Sequence, residues 1–159
     1  MLVRQVVTGH DSGGRAVFVR DEQVEGTAIP GIGELVFLWN ADGPATYPDA
    51  GENPAAPAML PPVGGIRFRI ASYSPGSVVA PTTPRPGMQV GDEPGRVRTD
   101  TTEFGVLLSG ELSIELDDGA EVVLSPGDVL VQNGTRHVRR VVGDDPATFV
   151  AFFIGAHRR

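Results

Sequence analysis

The sequence predicts an all-β protein, built as an antiparallel sandwich or barrel. Glycine and proline are frequent, with 21 and 14 copies among 159 residues, which favours short strands joined by turns over long helices. From residue 65 onward, short apolar runs end in Gly, Asn or Asp at fairly even intervals. No segment has a convincing helical periodicity, so strands account for most of the expected secondary structure.

The N-terminal segment combines strand-like runs with a long loop. The runs are at 3–8, 15–19 and 34–40, and the turn-rich link GHDSGG between the first two predicts a hairpin. Residues 41–64 are dominated by Pro, Ala, Gly and acidic residues, and they keep no apolar period of either kind. This composition predicts a surface loop that is either a lid or a poorly ordered excursion.

From residue 65 onward, the sequence predicts a series of short strands. Residues 65–73, GIRFRIASY, alternate between apolar and other side chains, and the alternation favours a solvent face for Arg67 and Arg69. A second turn-rich stretch covers 81–95. The Asp-Asp-Gly at 117–119 predicts another hairpin.

These patterns give one structural domain. We expect a barrel over residues 65–159, with the strands and loop of residues 1–64 packed on it.

Composition and charge exclude several classes of function. The net charge of −7 argues against a nucleic-acid partner. No apolar run approaches the roughly 18 residues of a membrane span and the N-terminus lacks a signal-peptide pattern, so we expect a cytoplasmic protein without a membrane partner. The chain has no cysteine, and all thirteen basic residues are arginine. Thiolate chemistry and Schiff-base catalysis are therefore excluded, and any buried basic group is a guanidinium.

Two stretches carry a resemblance to a known family. EFGVLLSG (103–110) matches the end of one characteristic motif, and GDVLVQNGTRHVRRV (127–141) matches the second, with Asn133 and Val141 in place of its usual proline and asparagine. Over residues 65–155 the chain thereby resembles the cupin superfamily, and in particular its small single-domain bacterial members. The resemblance implies a jelly-roll barrel with an N-terminal strand extension, a ligand site inside the barrel, and commonly a homodimer. It does not specify the reaction, because cupins include many enzymes as well as binding proteins.

The metal-ligand pattern of that family is incomplete here. A mononuclear cupin site normally uses three histidines and one glutamate, and only Glu103 and His137 match it. Counting back from Glu103 puts the other histidine positions at Arg96 and Arg98, or, in the closer subgroup, a single position at Val97. We therefore predict no cofactor and no tightly bound metal, and any metal that binds would rest on His137 and Glu103.

Glu103 and His137 are the candidate catalytic residues. A carboxylate and an imidazole inside a barrel can act as an acid/base pair. The alternative is a buried Glu103 in an ion pair with Arg98, beside a hydrogen-bonded and idle His137.

Arg96, Arg98 and Arg139 are the candidate ligand-binding residues. His137 and Arg139 share one face of a strand because side chains alternate, and the resemblance points the face of Arg96 and Arg98 inward. Two or three guanidinium groups would attract and orient a carboxylate, phenolate or phosphate. The alternative is that these arginines lie at the solvated rim.

Two further residues complete the candidate ligand-binding set. Gln132 could line the pocket, and Trp39 could stack on a ligand. The alternative is that the large apolar side chains only pack in the core or in a dimer interface. These are Trp39, Phe104 and the FVAFF run at 149–153.

The functional prediction is a cupin that binds a small organic metabolite, anionic and of polyketide or aromatic type. Three interpretations of the function remain open. The protein could catalyse isomerisation, dehydration or cyclisation, with the arginines stabilising an enolate or carboxylate. It could be a metal-dependent dioxygenase with an atypical ligand such as Asp100 or Gln132. It could also be a binding or regulatory module without chemistry.

Overall fold

The computed structural model describes residues 1–54, 58–79 and 84–158, and the described residues are built almost entirely from β-strands. One 3-10 turn occurs at Asp117–Gly119. The strands are β1 Leu2–His10, β2 Ala16–Glu25, β3 Thr27–Ile29, β4 Gly33–Ala41, β5 Ile66–Tyr73, β6 Met88–Val90, β7 Val97–Thr99, β8 Thr101–Ser109, β9 Glu111–Glu115, β10 Glu121–Leu124, β11 Val129–Asn133, β12 Val138–Val142 and β13 Ala147–Gly155.

The strands form a jelly roll of two facing sheets. The large sheet has six strands in the order β11-β8-β13-β5-β4-β3, and the small sheet has the order β10-β9-β12. The β6-β7 pair extends the small sheet, because Val97 forms a bridge with His137 at the start of β12. β1 and β2 form a separate ribbon. The predicted all-β jelly roll with an N-terminal strand extension is thus confirmed.

The core lies between the two sheets and follows the two-residue period of the strands. Leu107 and Phe149 of the large sheet meet Leu112 and Ile114 of the small sheet, and all four are at most 3% exposed. Burying apolar area of this kind is the main favourable term in folding.

Both hairpins predicted from turn residues are present. β1 pairs with β2, and β9 pairs with β10 through the 3-10 turn at 117–119. Asp118 has a φ of 60° in this turn, which is a conformation that aspartate tolerates better than most residues. The short strands β3 and β6 were not predicted, since three-residue strands carry too little alternation to be recognised. β3 and β4 pair next to β5, so part of the N-terminal segment belongs to the large sheet itself.

The loop between β4 and β5 (residues 42–65) is attached to the barrel through Arg67. This side chain is fully buried, and it donates hydrogen bonds to the carbonyl oxygens of Ala41 and Ala58 and to the carboxylate of Asp42. Leu60 is 4% exposed and belongs to the core, so the expected surface loop contains a buried segment. Residues 55–57, and residues 81–83 of the second turn-rich stretch, lie outside the described part of the chain.

The solvent face predicted for Arg67 and Arg69 is wrong. Both side chains point into the barrel, whereas the apolar side chains between them point outward. Alternation separates two faces but does not say which one is inside. Here the outer face is also apolar, because the β1-β2 ribbon covers part of it, including Phe68 and Ile70.

The outer face of the large sheet carries two rows of apolar side chains. Strand register aligns Val131, Phe104, Phe152 and Phe68 in one row. It aligns Val129, Val106, Val150 and Ile70 in the other. The end of these rows away from the ribbon is open to solvent, with Val129 65%, Val131 51% and Phe104 43% exposed.

Among the described residues, no helix has the length and hydrophobicity needed to cross a bilayer.

Candidate functional site

A cavity of about 120 Å³ lies inside the barrel, between the two sheets and the β4–β5 loop. Its charged and polar lining residues are Glu34, Arg69, Tyr73, Arg85, Thr99, Glu103, His137 and Arg139. Its apolar lining residues are Ile29, Ile32, Leu35, Met59, Leu60, Ala71, Val79, Met88, Val97 and Phe153. Both predicted catalytic residues and one of the three predicted arginines therefore face the same cavity.

Glu103 is buried, and its carboxylate accepts three hydrogen bonds. One carboxylate oxygen accepts from Thr99 at 2.8 Å and from Thr101 at 3.2 Å, and the other accepts from the guanidinium of Arg139 at 2.7 Å. Burial by itself would raise the pKa of Glu103, but the charge and hydrogen bond of Arg139 outweigh it and hold the pKa below its ordinary value. Glu103 is therefore ionised, and it is a poor proton donor near neutral pH.

Arg139 forms the other half of a buried ion pair. The side chains of Arg139 and Glu103 are only 6% and 4% exposed. Burial opposes the charged guanidinium, but Glu103 raises the pKa of Arg139, so both groups stay charged. The Nε atom of Arg139 is buried without a partner among the described residues. The ion pair predicted for Glu103 exists, with Arg139 and not Arg98 as its partner.

His137 is neutral and presents one ring nitrogen to the cavity. Its Nδ1 lies 3.0 Å from the carbonyl oxygen of Thr135, which assigns the ring proton to Nδ1 and leaves Nε2 as an acceptor. Burial, followed by the positive charge of Arg139, lowers the pKa of His137 to about 4. The imidazole is therefore a hydrogen-bond acceptor and a weak base at neutral pH.

Arg69 is the residue that sequence reasoning missed. Its guanidinium carbon lies 3.8 Å from the centroid of the Phe153 ring, so the planar group stacks on the aromatic face. In the described part of the chain it has no carboxylate partner, and burial lowers the pKa of the guanidinium. An arginine still stays protonated at neutral pH. Ala151 lies opposite Arg69 on β13 and Gly105 lies opposite Ala151 on β8, and the Phe149 ring fills the space above Gly105.

Arg96 and Arg98 lie outside the cavity, contrary to their prediction. Arg96 is largely buried away from the cavity, where it donates hydrogen bonds to Glu93 and to Glu115, both at 2.7 Å. Arg98 donates to Gln89. The residues of β7 that face the cavity are Val97 and Thr99, one position further along the chain. A shift of one residue moves every side chain to the other face, which explains the error.

Gln132 and Trp39 do not line the cavity either. Gln132 is 3% exposed and is paired with Glu103 across β8 and β11, and its side-chain amide donates to the Thr135 hydroxyl. It thereby supports the turn that carries His137. Trp39 lies in grooves between the loop and the β1-β2 ribbon, with the guanidinium of Arg20 at 5.9 Å from its ring.

The side chains that line the cavity do not fit the transition metal that the cupin resemblance implies. Four residues face the cavity at the positions that would supply metal ligands: Val97, Thr99, Glu103 and His137. Only the side chains of Glu103 and His137 are strong metal ligands. The Glu103 carboxylate is already bonded to a guanidinium. No group of three His, Cys, Asp or Glu suited to a metal occurs in the described residues. Asp100, considered as an atypical ligand, is paired with Arg158.

Comparison with known proteins supports the same fold. Residues 87–153 match the family model of the Cupin domain. The chain is 37% identical over 84 residues to oryzines biosynthesis cluster protein J of Aspergillus oryzae, covering 53% of this chain and 37% of that protein. It is 42% identical over 65 residues to phomopsin biosynthesis cluster protein D of Diaporthe leptostromiformis, covering 41% and 32%. The chain thus spans about a third of the length of these curated relatives.

A solved structure has the same overall arrangement. KdgF from Halomonas sp. superposes with a TM-score of 0.50 at 16% identity, and the match covers 85% of this chain and 87% of that one. At this identity the likeness concerns the fold alone. The family-model match over residues 87–153 agrees with the motifs and with the two-sheet barrel, so this part of the chain is similar to a cupin domain and has its jelly-roll fold.

Proposed function

We propose that the barrel binds a small organic anion through Arg69, without a tightly bound transition metal. The observation that carries this proposal is a guanidinium inside the cavity with no carboxylate to neutralise it among the described residues. The Arg69 side chain is half-buried, so its charge is partly removed from water, and a bound anion provides the missing partner. Arg139 is already neutralised by Glu103 and contributes less to attracting the ligand.

The names of the curated relatives support a metabolite as the ligand. Both are named as members of biosynthesis clusters, for oryzines and for phomopsin. A cavity of about 120 Å³ accepts on the order of ten non-hydrogen atoms, by comparison with the space that one water needs. That volume favours a single-ring or short-chain compound over a multi-ring polyketide.

Chemistry at this site would depend on His137. Its Nε2 could accept a proton, while Arg69 and Arg139 stabilise an enolate or a carboxylate during isomerisation, dehydration or cyclisation. The ionised and fully engaged Glu103 favours the other candidate function, a binding module without turnover. In either case we assign Glu103 a positioning role for Arg139.

The metal content of the protein tests the first half of the proposal. We expect protein expressed with added Fe, Mn, Ni and Zn, then purified without a tag, to contain far less than one ion per chain by elemental mass spectrometry. The reason is that two donors, one of them bonded to a guanidinium, hold a divalent ion weakly. Near-stoichiometric metal that disappears in His137→Ala would contradict the proposal and make this a metal enzyme with an atypical site.

We further propose a homodimer that uses the open end of the apolar rows. Phe104, Val129 and Val131 form an exposed apolar patch on a sheet edge, and such patches commonly mark protein interfaces. Light scattering is expected to give about twice the monomer mass of 16.7 kDa. Phe104→Glu is expected to give monomers, because it places a charge in the interface, and a wild-type protein that stays monomeric would contradict the proposal.

A cytoplasmic location remains a prediction.

A further inference from the structure

The charges around the cavity limit the charge of the ligand. Glu103 and Arg139 cancel in a buried ion pair with an N···O distance of 2.7 Å, and the His137 ring is neutral at physiological pH. Arg69, which is half-buried, is then the lining charge inside the cavity that has no partner among the described residues. Glu34 and Arg85 also line the cavity, but Glu34 is paired with the N-terminal ammonium of Met1, and Arg85 is exposed, so water screens its charge.

The remaining lining is unsuited to a second charge on the ligand. The apolar part of the lining includes Ile29, Ile32, Met59, Leu60 and Met88. A second carboxylate among these side chains would lose its hydration without gaining a partner, which is strongly unfavourable. An alkyl or aryl group would instead gain by leaving water.

The geometry of Arg69 selects the type of anion. The guanidinium carbon of Arg69 lies over the Phe153 ring, and this cation–π contact holds the group in the cavity without using its N–H donors. A guanidinium edge donates two parallel hydrogen bonds to a carboxylate, which is planar in the same way. Nε2 of His137 can accept only a hydrogen bond, so it favours a hydroxyl or amide N–H on the ligand and opposes a second oxyanion.

We infer that the ligand is a small monocarboxylate whose carboxylate binds Arg69 and whose apolar body lies against the loop residues Met59 and Leu60. This inference rests on the proposed function and narrows it to one substrate class. It also gives the β4–β5 loop a role, since the loop supplies part of the apolar wall.

A panel of simple acids tests the inference by isothermal titration calorimetry. The probes are benzoate and hexanoate, their uncharged amides, and the more highly charged succinate and phenyl phosphate. We expect benzoate or hexanoate to bind at least about tenfold more tightly than its amide and than either more highly charged probe. Arg69→Met should weaken that binding about tenfold or more, and Arg69→Lys should restore part of it, because a lysine keeps the charge without the planar fork.

Arg140→Met is the matched control. Arg140 follows the cavity residue Arg139 but points outward, where it pairs with Glu115 at 2.6 Å. Its substitution should leave the affinity within about twofold of wild type, well short of a tenfold change. Thermal unfolding of each variant shows whether weaker binding reflects loss of the fold.

The outcomes separate the inference from the proposed function. If succinate or phenyl phosphate binds most tightly and still requires Arg69, the monocarboxylate inference is overturned while the anion-binding function stands. If no probe binds, or if amides bind as well as acids and Arg69→Met changes nothing, both are overturned.

Discussion

Arg139→Met is expected to lower the free energy of unfolding by about 3–5 kcal/mol, because it leaves the Glu103 carboxylate buried without its cation. The two hydroxyls of Thr99 and Thr101 remain as donors to that carboxylate, but they do not neutralise its charge. Chemical denaturation at neutral pH measures the difference. Replacing Glu103 by glutamine removes the unpaired negative charge and should restore much of the lost stability. The double variant Glu103→Gln/Arg139→Met is therefore expected to be clearly more stable than Arg139→Met alone.

The neighbouring arginine provides the control for this experiment. Arg140 pairs with Glu115 on the surface, and its side chain is 40% exposed. Arg140→Met is therefore expected to cost no more than about 1 kcal/mol. A loss below about 1 kcal/mol in Arg139→Met as well, or a double variant no more stable than that single variant, would show that the buried pair is not coupled as the geometry indicates.

Lowering the pH from 7.5 to 4 is expected to cost about 3 kcal/mol of stability through His137 alone. The ordinary pKa of 6.5 describes the imidazole in the unfolded chain, and burial with Arg139 nearby lowers it to about 4 in the folded protein. Between these values the unfolded state binds the proton and the folded state does not. The stabilisation is thus complete above about pH 6.5 and is lost as the pH falls toward 4. The lowered pKa of Glu103 acts in the same direction at still lower pH.

His137→Asn isolates this contribution. Asparagine keeps a side-chain N–H near the position of Nδ1, where the carbonyl oxygen of Thr135 accepts it, but it does not titrate. Denaturation curves at pH 7.5, 5.5 and 4 should show a shallower loss of stability in the variant than in the wild type. Parallel losses across this range would mean that His137 titrates normally in the folded protein.

Much of the fold could be predicted because strands and turns leave strong local signals. Alternation located β5, and Asp-Asp-Gly located the β9-β10 hairpin. The same rule placed His137 and Arg139 on one face, and both line the cavity. A period of two is enough to relate residues within a strand once one of them is known to face inward.

The errors at the site come from information that alternation does not contain. Arg96 and Arg98 were placed inward by counting a short gap before Glu103, and a gap shorter by one residue brings Val97 and Thr99 inward instead. Arg69 was missed because apolar neighbours on β5 were taken as the inner face. They face outward, where the β1-β2 ribbon covers part of that side of the sheet.

The attachment of the β4–β5 loop through Arg67 has a consequence for how this barrel can evolve. Two of the groups that the guanidinium holds are the carbonyl oxygens of Ala41 and Ala58, and every residue type supplies such an oxygen. Met59 and Leu60, next to the anchored Ala58, face the cavity. Substitutions there could reshape the apolar wall while the loop keeps its hold on the sheet. The attachment of the loop and the shape of the apolar wall thereby depend on different residues of the same segment.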